Sequence, residues 1–186
     1  MKQAKGGFWN LPNTITVVRI LVVPVVMVLI TVPERWAAWT AMILFIAASL
    51  SDIVDGYLAR KLGLQSVLGA FLDPLADKLL VIGAMVMLVP TGRLPAWMVA
   101  LFILRELTIT SLRTIAISEG IVIAASKWGK YKTAYQDTAL CFLLLHYPVF
   151  GMDAHTVGYV LMWLALFFTL FSGVHYFIGF ARAVPD

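Results

Sequence analysis

Leu50-Ser51-Asp52-Ile53-Val54-Asp55-Gly56-Tyr57-Leu58-Ala59-Arg60 closes one long apolar run, and Gly69-Ala70-Phe71-Leu72-Asp73-Pro74-Leu75-Ala76-Asp77-Lys78 opens the next. A carboxylate beside hydrocarbon costs several kcal/mol unless it is paired, solvated or bound to a cation. Asp52 and Asp55 stand three residues apart, and Asp73 and Asp77 four apart, so each pair projects from one face of a helix. Gly69 lies one turn further back on the stripe of the second pair. A short turn between the two runs makes them antiparallel neighbours whose acids converge.

Working outward, the chain is greasy on both sides of these acids. Of 186 residues, 61% are hydrophobic and 13% charged, with a mean hydropathy of +0.91. A soluble domain carries nearer a quarter charged residues, so the composition belongs to the membrane class. Windows of about 20 apolar residues predict six spans, at 14–32, 36–55, 67–89, 95–117, 133–149 and 156–180. The breaks carry turn residues: Pro33-Glu34-Arg35, Leu62-Gly63-Leu64, Pro90 to Arg93, Glu119-Gly120, and Tyr147-Pro148 to Asp153. In lipid such segments satisfy their backbone groups as helices. The expectation is an all-α integral membrane bundle of six transmembrane helices, forming a single domain over 1–186. Residues 1–13 are a juxtamembrane segment, in which Phe8-Trp9-Asn10-Leu11-Pro12 suits a short interfacial helix. Lys2 and Lys5 before an apolar run imitate a signal peptide. Arg19 interrupts that run and no small-residue cleavage site follows, so it reads as a retained first helix.

Basic residues orient the bundle. With six spans, Lys2, Lys5, Arg60, Lys61, Lys127, Lys130, Lys132 and Arg182 fall on one side, and Arg35 and Arg93 on the other. The positive-inside bias puts both termini and the aspartates on the cytoplasmic face. Trp36, Trp39, Trp97, Tyr131, Tyr147 and Trp163 sit near span ends as interface anchors. The formal net charge of +4 is met by these loops and by anionic ligands, with no call for nucleic acid. A single cysteine, Cys141, excludes a disulfide framework. His146, His155 and His175 show no ligand spacing and are assigned to no site.

Four convergent carboxylates form a hard-oxygen cage suited to two divalent cations, Mg²⁺ or Mn²⁺, able to clamp a phosphoryl group. Gly56, Ala59 and Gly69 leave room for a ligand against the backbone, and Arg60 offers a fork for phosphate. Pro74 can kink the helix between Asp73 and Asp77. Two other readings stand beside this one: carboxylates neutralised by nearby cations for folding alone, and a transit site of a divalent-cation transporter. The transporter predicts acids running across the membrane, whereas these cluster at one end.

The pattern Asp52-x-x-Asp55-Gly56-x-x-Ala59-Arg60, eight residues, then Gly69-x-x-x-Asp73-x-x-x-Asp77 resembles the signature of the CDP-alcohol phosphotransferases. These are six-helix membrane enzymes in which an alcohol attacks the β-phosphorus of a CDP-linked donor and CMP leaves. The resemblance implies that Asp52, Asp55, Asp73 and Asp77 hold the two cations and that Asp77 is also the catalytic base. It places Gly56, Ala59, Arg60, Ser66 and Gly69 at the CDP group, and implies a homodimer. Leu11-Pro12-Asn13-Thr14-Ile15-Thr16 with Arg19, Arg105-Glu106 with Arg113, and Ser126 to Gln136 are similar to the phosphatidylglycerophosphate synthase branch. That likeness implies CDP-diacylglycerol as donor, contacted also by Asn13, Thr14, Ile15 and Thr16, and sn-glycerol 3-phosphate as acceptor. Asn13, Thr14 and Thr16 read alone are ordinary helix caps.

The remaining cations point the same way on chemistry alone. A dianionic acceptor needs several positive groups, and an arginine inside an apolar span must be paired or line a wet cavity. Arg113, Lys130 and Lys132 are the expected acceptor-phosphate residues; Arg105 joins them or pairs with Glu106 or Asp137. Other acceptors remain in play: phosphatidylglycerol in cardiolipin synthesis, inositol phosphate or serine. The absence of a transit-peptide pattern and the positive-inside bias suit the cytoplasmic (inner) membrane of a bacterium, with the active site facing inward.

Overall fold

The computed structural model describes residues 11–62, 67–119, 127–149 and 151–183; side chains at 11, 12, 52–62, 67, 68, 70 and 127 lie outside the description. Six α-helices occupy the described residues: α1 (Leu11–Thr31), α2 (Arg35–Leu62), α3 (Val67–Leu88), α4 (Ala96–Ser118), α5 (Lys127–Leu145) and α6 (Ala154–Ala183). Two short strands, β1 (Pro148–Val149) and β2 (Met152–Asp153), form an antiparallel hairpin between α5 and α6. The expected apolar windows fall on these helices in order. Two bounds differ in ways that matter. α2 runs on to Leu62, so Asp52 and Asp55 lie within the helix and not at its end. The fifth window, 133–149, runs past the helix, because His146 takes a left-handed φ of 43° and Gly151 one of 79°. Pro148 then starts the hairpin. The interfacial segment expected at 8–10 lies outside the described residues.

The chain divides into two compact units, Met1–Thr91 and Gly92–Asp186. In the first, α1 packs against both α2 and α3. Its buried stripe is Asn13, Thr16, Arg19, Val23, Val26 and Ile30, the spacing of one helix face. This stripe is polar in its first half and apolar in its second. Ala37, Ala38, Ala41 and Ala48 on α2 are buried, and such small residues let helices approach closely. On α3, a Cβ at Gly83 would come within 3.3 Å of Met27 Sδ on α1.

In the second unit α6 packs against α4, α5 and the hairpin. Its buried stripe is Ala154, Gly158, Met162, Ala165, Leu166, Thr169, Ser172 and Tyr176, apolar first and polar last. Gly158 brings α6 almost backbone to backbone with α5: an added Cβ would lie 2.9 Å from Leu143 N and 3.0 Å from Ala139 O. Trp128, Tyr131 and Tyr135 on α5 pack against Phe168 on α6, with Trp128 also edge-on to Phe171. Asp153 caps α6, accepting from the amides of His155 and Thr156 at 3.3 Å each and from the Thr156 hydroxyl.

The two helices at the centre of these units are also, among the described residues, the two long and apolar enough to cross a membrane, over Asn13–Thr31 and Ala154–Ala183. Their outward faces carry large apolar side chains, among them Leu21 and Val28 on α1 and Phe167 and Val174 on α6. Exposed apolar faces of this extent fit a lipid surround, since water leaves such surface unsatisfied.

Candidate active site

In the first unit the polar half of α1 meets Asp73. Thr16 is fully buried and its hydroxyl donates to Asp73 Oδ1 at 2.6 Å. Arg19 is 2% exposed and its Nε donates to Ser51 Oγ at 3.2 Å, directly before Asp52 in sequence. A buried guanidinium in an apolar helix needs such partners to offset its lost hydration. Asn13 is buried on the same stripe, Ile15 is half-buried and Thr14 is exposed. Asp73 and Asp77 are half-buried one turn apart on α3, and Gly69 is buried a turn earlier. Pro74 lies inside the helix between the two acids.

The side chains of Asp52, Asp55, Gly56, Ala59 and Arg60 lie outside the described residues, as does Ser66 altogether. Among the described residues no three His, Cys, Asp or Glu side chains group as a metal site. The donor chemistry of Asp73 and Asp77, hard oxygens with one already oriented by a hydroxyl, fits Mg²⁺ or Mn²⁺.

The second unit holds a cavity of about 560 Å³ whose lining includes Arg105, Glu106, Arg113, Lys130, Lys132 and Asp137. All four cations named from the sequence as candidates for an acceptor phosphate thus line one space. Four cations against two carboxylates leave a formal excess of two positive charges. Arg105 and Lys132 are tied down: Arg105 Nη1 donates to Glu106 Oε1 at 2.8 Å, and Lys132 Nζ donates to the same oxygen. Arg105 Nη2 reaches across to Ser172 Oγ on α6 at 2.9 Å. One carboxylate and one hydroxyl therefore link α4 to α5 and α4 to α6. Arg113 and Lys130 line the cavity with exposed side chains and no ion pair among the described residues.

One group in this lining was anticipated only in part, as a partner of Arg105 alongside Asp137, and another was not anticipated. Glu106 was expected to pair with Arg105, and it holds Lys132 as well. Tyr176 is 6% exposed, and its hydroxyl, like Arg105 Nε, has no hydrogen-bond partner among the described residues. Such a buried orphan costs about 1–3 kcal/mol. A signal was present: Thr169, Ser172 and Tyr176 recur at three- and four-residue spacing in an otherwise apolar helix.

Comparison with known proteins identifies the family. The profile of the CDP-alcohol phosphatidyltransferases matches residues 9–171. The chain is 44% identical over 181 residues to the CDP-diacylglycerol--glycerol-3-phosphate 3-phosphatidyltransferase of Bacillus subtilis, covering 91% of this chain and 94% of that one. The protein of the same name from Rickettsia typhi is 35% identical, over 90% of this chain and 95% of its own. A probable phosphatidylglycerophosphate synthase of Mycobacterium tuberculosis is 38% identical, over 95% and 83% respectively. The motif acids, the cationic cavity and a match along nearly the whole chain converge on one assignment: this chain belongs to the CDP-alcohol phosphatidyltransferase family.

Proposed function

We propose that this chain transfers the phosphatidyl group of CDP-diacylglycerol to sn-glycerol 3-phosphate, giving phosphatidylglycerophosphate and CMP. The observation that carries the choice of acceptor is the cavity bearing Arg105, Arg113, Lys130 and Lys132, whose excess of two positive charges matches a phosphate dianion. The names of the relatives point to the same pair of substrates.

In this reading the first unit serves the donor. Asp52, Asp55, Asp73 and Asp77 hold two divalent cations, Mg²⁺ or Mn²⁺, which supply charge neutralisation at the pyrophosphate when bound. Thr16 keeps Asp73 in one orientation. Asn13, Thr14, Ile15, Thr16, Gly56, Ala59, Arg60, Ser66 and Gly69 contact CDP-diacylglycerol. Arg113 and Lys130 take the acceptor phosphate, and Arg105 and Lys132 lend charge from fixed positions. The acceptor hydroxyl oxygen bonds to the β-phosphorus as the bond to the CMP oxygen breaks, and the hydroxyl proton passes to Asp77. Electrostatic stabilisation of the departing CMP is the main contribution such a site makes.

The same reading places all six helices across a bacterial cytoplasmic membrane, with both termini and the active site inside, and takes the enzyme as a homodimer. What supports the topology is the pattern of the two central helices. The polar half of the α1 stripe lies toward the N-terminus and that of the α6 stripe toward the C-terminus. With an even number of spans both polar halves face the cytoplasm, where a soluble phosphorylated alcohol arrives.

The test is an assay of the purified protein with CDP-diacylglycerol and each candidate alcohol, following CMP release with Mg²⁺ or Mn²⁺. Product with glycerol 3-phosphate, lost in Asp73→Asn, is expected. Product only with phosphatidylglycerol, inositol phosphate or serine refutes the acceptor. Metal flux in proteoliposomes without CMP release refutes the reaction.

A further inference from the structure

The reading above uses the four cations of the second-unit cavity but leaves its only buried aromatic hydroxyl, among the lining residues, without a role. Tyr176 sits one turn beyond Ser172 on α6, on the stripe that faces the unit interior. Ser172 is already engaged, accepting from Arg105 Nη2 and donating to Thr169 O. The Tyr176 hydroxyl has no hydrogen-bond partner among the described residues, although buried tyrosine hydroxyls ordinarily find one.

Arg105 Nε is orphaned in the same way. Its side chain lies across Gly173, where an added Cβ would stand 3.4 Å from Arg105 Cγ and 3.8 Å from Nε. Arg105 thus lies against Gly173 while its Nη2 is held by Ser172. Two buried donors without acceptors among the described residues, on residues that line one cavity with a surplus of positive charge, suit a ligand rich in acceptor oxygens. A phosphate dianion offers three such oxygens, and a hydrogen bond from a neutral hydroxyl to a charged acceptor is among the stronger kinds.

We propose that Tyr176 is a specificity-determining residue of the acceptor site, its hydroxyl donating to a phosphate oxygen of the phosphorylated alcohol in the cavity that Arg105 also lines. The proposal rests on the reading of this cavity as the acceptor site. It adds a discrimination the cations alone do not supply. Lysines and arginines attract any anion, whereas a fixed, buried O–H rewards only an oxygen at one position.

Tyr176→Phe keeps the ring and removes the donor. The expected result is a rise of about tenfold in KM for sn-glycerol 3-phosphate, the usual effect of losing one hydrogen bond to a charged group. KM for CDP-diacylglycerol and the melting temperature stay within error of the parent. Inorganic phosphate, titrated without donor, raises the melting temperature of the parent and does so less in Tyr176→Phe. Arg113→Ala runs in parallel. If it raises the glycerol 3-phosphate KM while Tyr176→Phe leaves it within twofold, the proposal is overturned and the acceptor site stands. If neither variant changes it, the cavity is not the acceptor site and both readings fall. A parallel rise in both KM values with a lower melting temperature assigns the hydroxyl a structural role and also overturns the proposal.

Discussion

Gly158 and Gly179 lie on the same helix, α6, and should respond to the same substitution with opposite signs. At Gly158 a Cβ would stand 2.9 Å from both Leu143 N and Leu143 Cγ and 3.0 Å from Ala139 O; at Gly179 nothing lies within 4 Å. Carbon contacts are comfortable at about 3.5–4.0 Å, so α5 and α6 must part by roughly half an ångström to admit the methyl group. Two of the three obstructing atoms are backbone, which cannot swing aside as a side chain would. Overpacking of this kind costs about 1–3 kcal/mol. Replacing a helical glycine with alanine gains about 0.5–1 kcal/mol at either site. That gain cancels between the two variants. Gly179→Ala should therefore be more stable than Gly158→Ala by about 1–3 kcal/mol, or about 5- to 150-fold in the unfolding equilibrium. The measurement is reversible unfolding of the purified protein in detergent, with SDS as denaturant and helix circular dichroism as signal. Equal midpoints, or a Gly158→Ala protein that outlasts Gly179→Ala, would refute the close approach of α5 and α6.

Two further outcomes are expected. Thr16→Val removes the donor to Asp73 Oδ1 with little change of shape, and should weaken Mn²⁺ binding about tenfold by calorimetric titration; unchanged affinity means the hydroxyl does not orient a metal ligand. The Asp153 carboxyl is held below the usual carboxylate range by the Thr156 hydroxyl, and then by the amides of Thr156 and His155. A folded pKa below the unfolded value of about 3.9 adds stability above that pH, and this is lost as the pH falls through the folded value. Asp153→Asn keeps the cap and cannot titrate, so its unfolding midpoint should vary less below about pH 4 than that of the parent. Superimposable acid limbs would remove Asp153 from the balance.

The helices were legible because span length and turn chemistry are local. Pro33, Pro90 with Gly92, and Glu119 each mark a break that chain-neighbour physics enforces. The 148–153 hairpin was read only as a break, since strands of two residues leave no periodicity to detect. How polar groups are shared out was less legible. Arg105 was weighed between pairing and ligand binding, and Glu106 holds it while also holding Lys132 from 26 residues away, a choice set by packing. The spacing of Thr169, Ser172 and Tyr176 marks a polar stripe in an apolar span, but that the Tyr176 hydroxyl is left without a partner among the described residues depends on packing. Arg19 was visible as an interruption of the first apolar run, but its contact with Ser51 depends on how α1 meets α2.

The tight link between α5 and α6 bears on how the protein is made. α5 carries Lys127, Lys130, Lys132, Gln136 and Asp137 within its first eleven residues, whereas α6 is apolar for most of its 30. Each such charge opposes entry into a bilayer core by about 2.5–3.5 kcal/mol at the centre of a span, so α5 partitions poorly by itself. The connection from Leu145 to Ala154 is short enough for the two to enter as a helical hairpin, the apolar partner drawing in the polar one. If α5 crosses the membrane, it would then wait at the translocon until α6 emerges, and a chain stalled between them would leave Lys127, Lys130 and Lys132 in water.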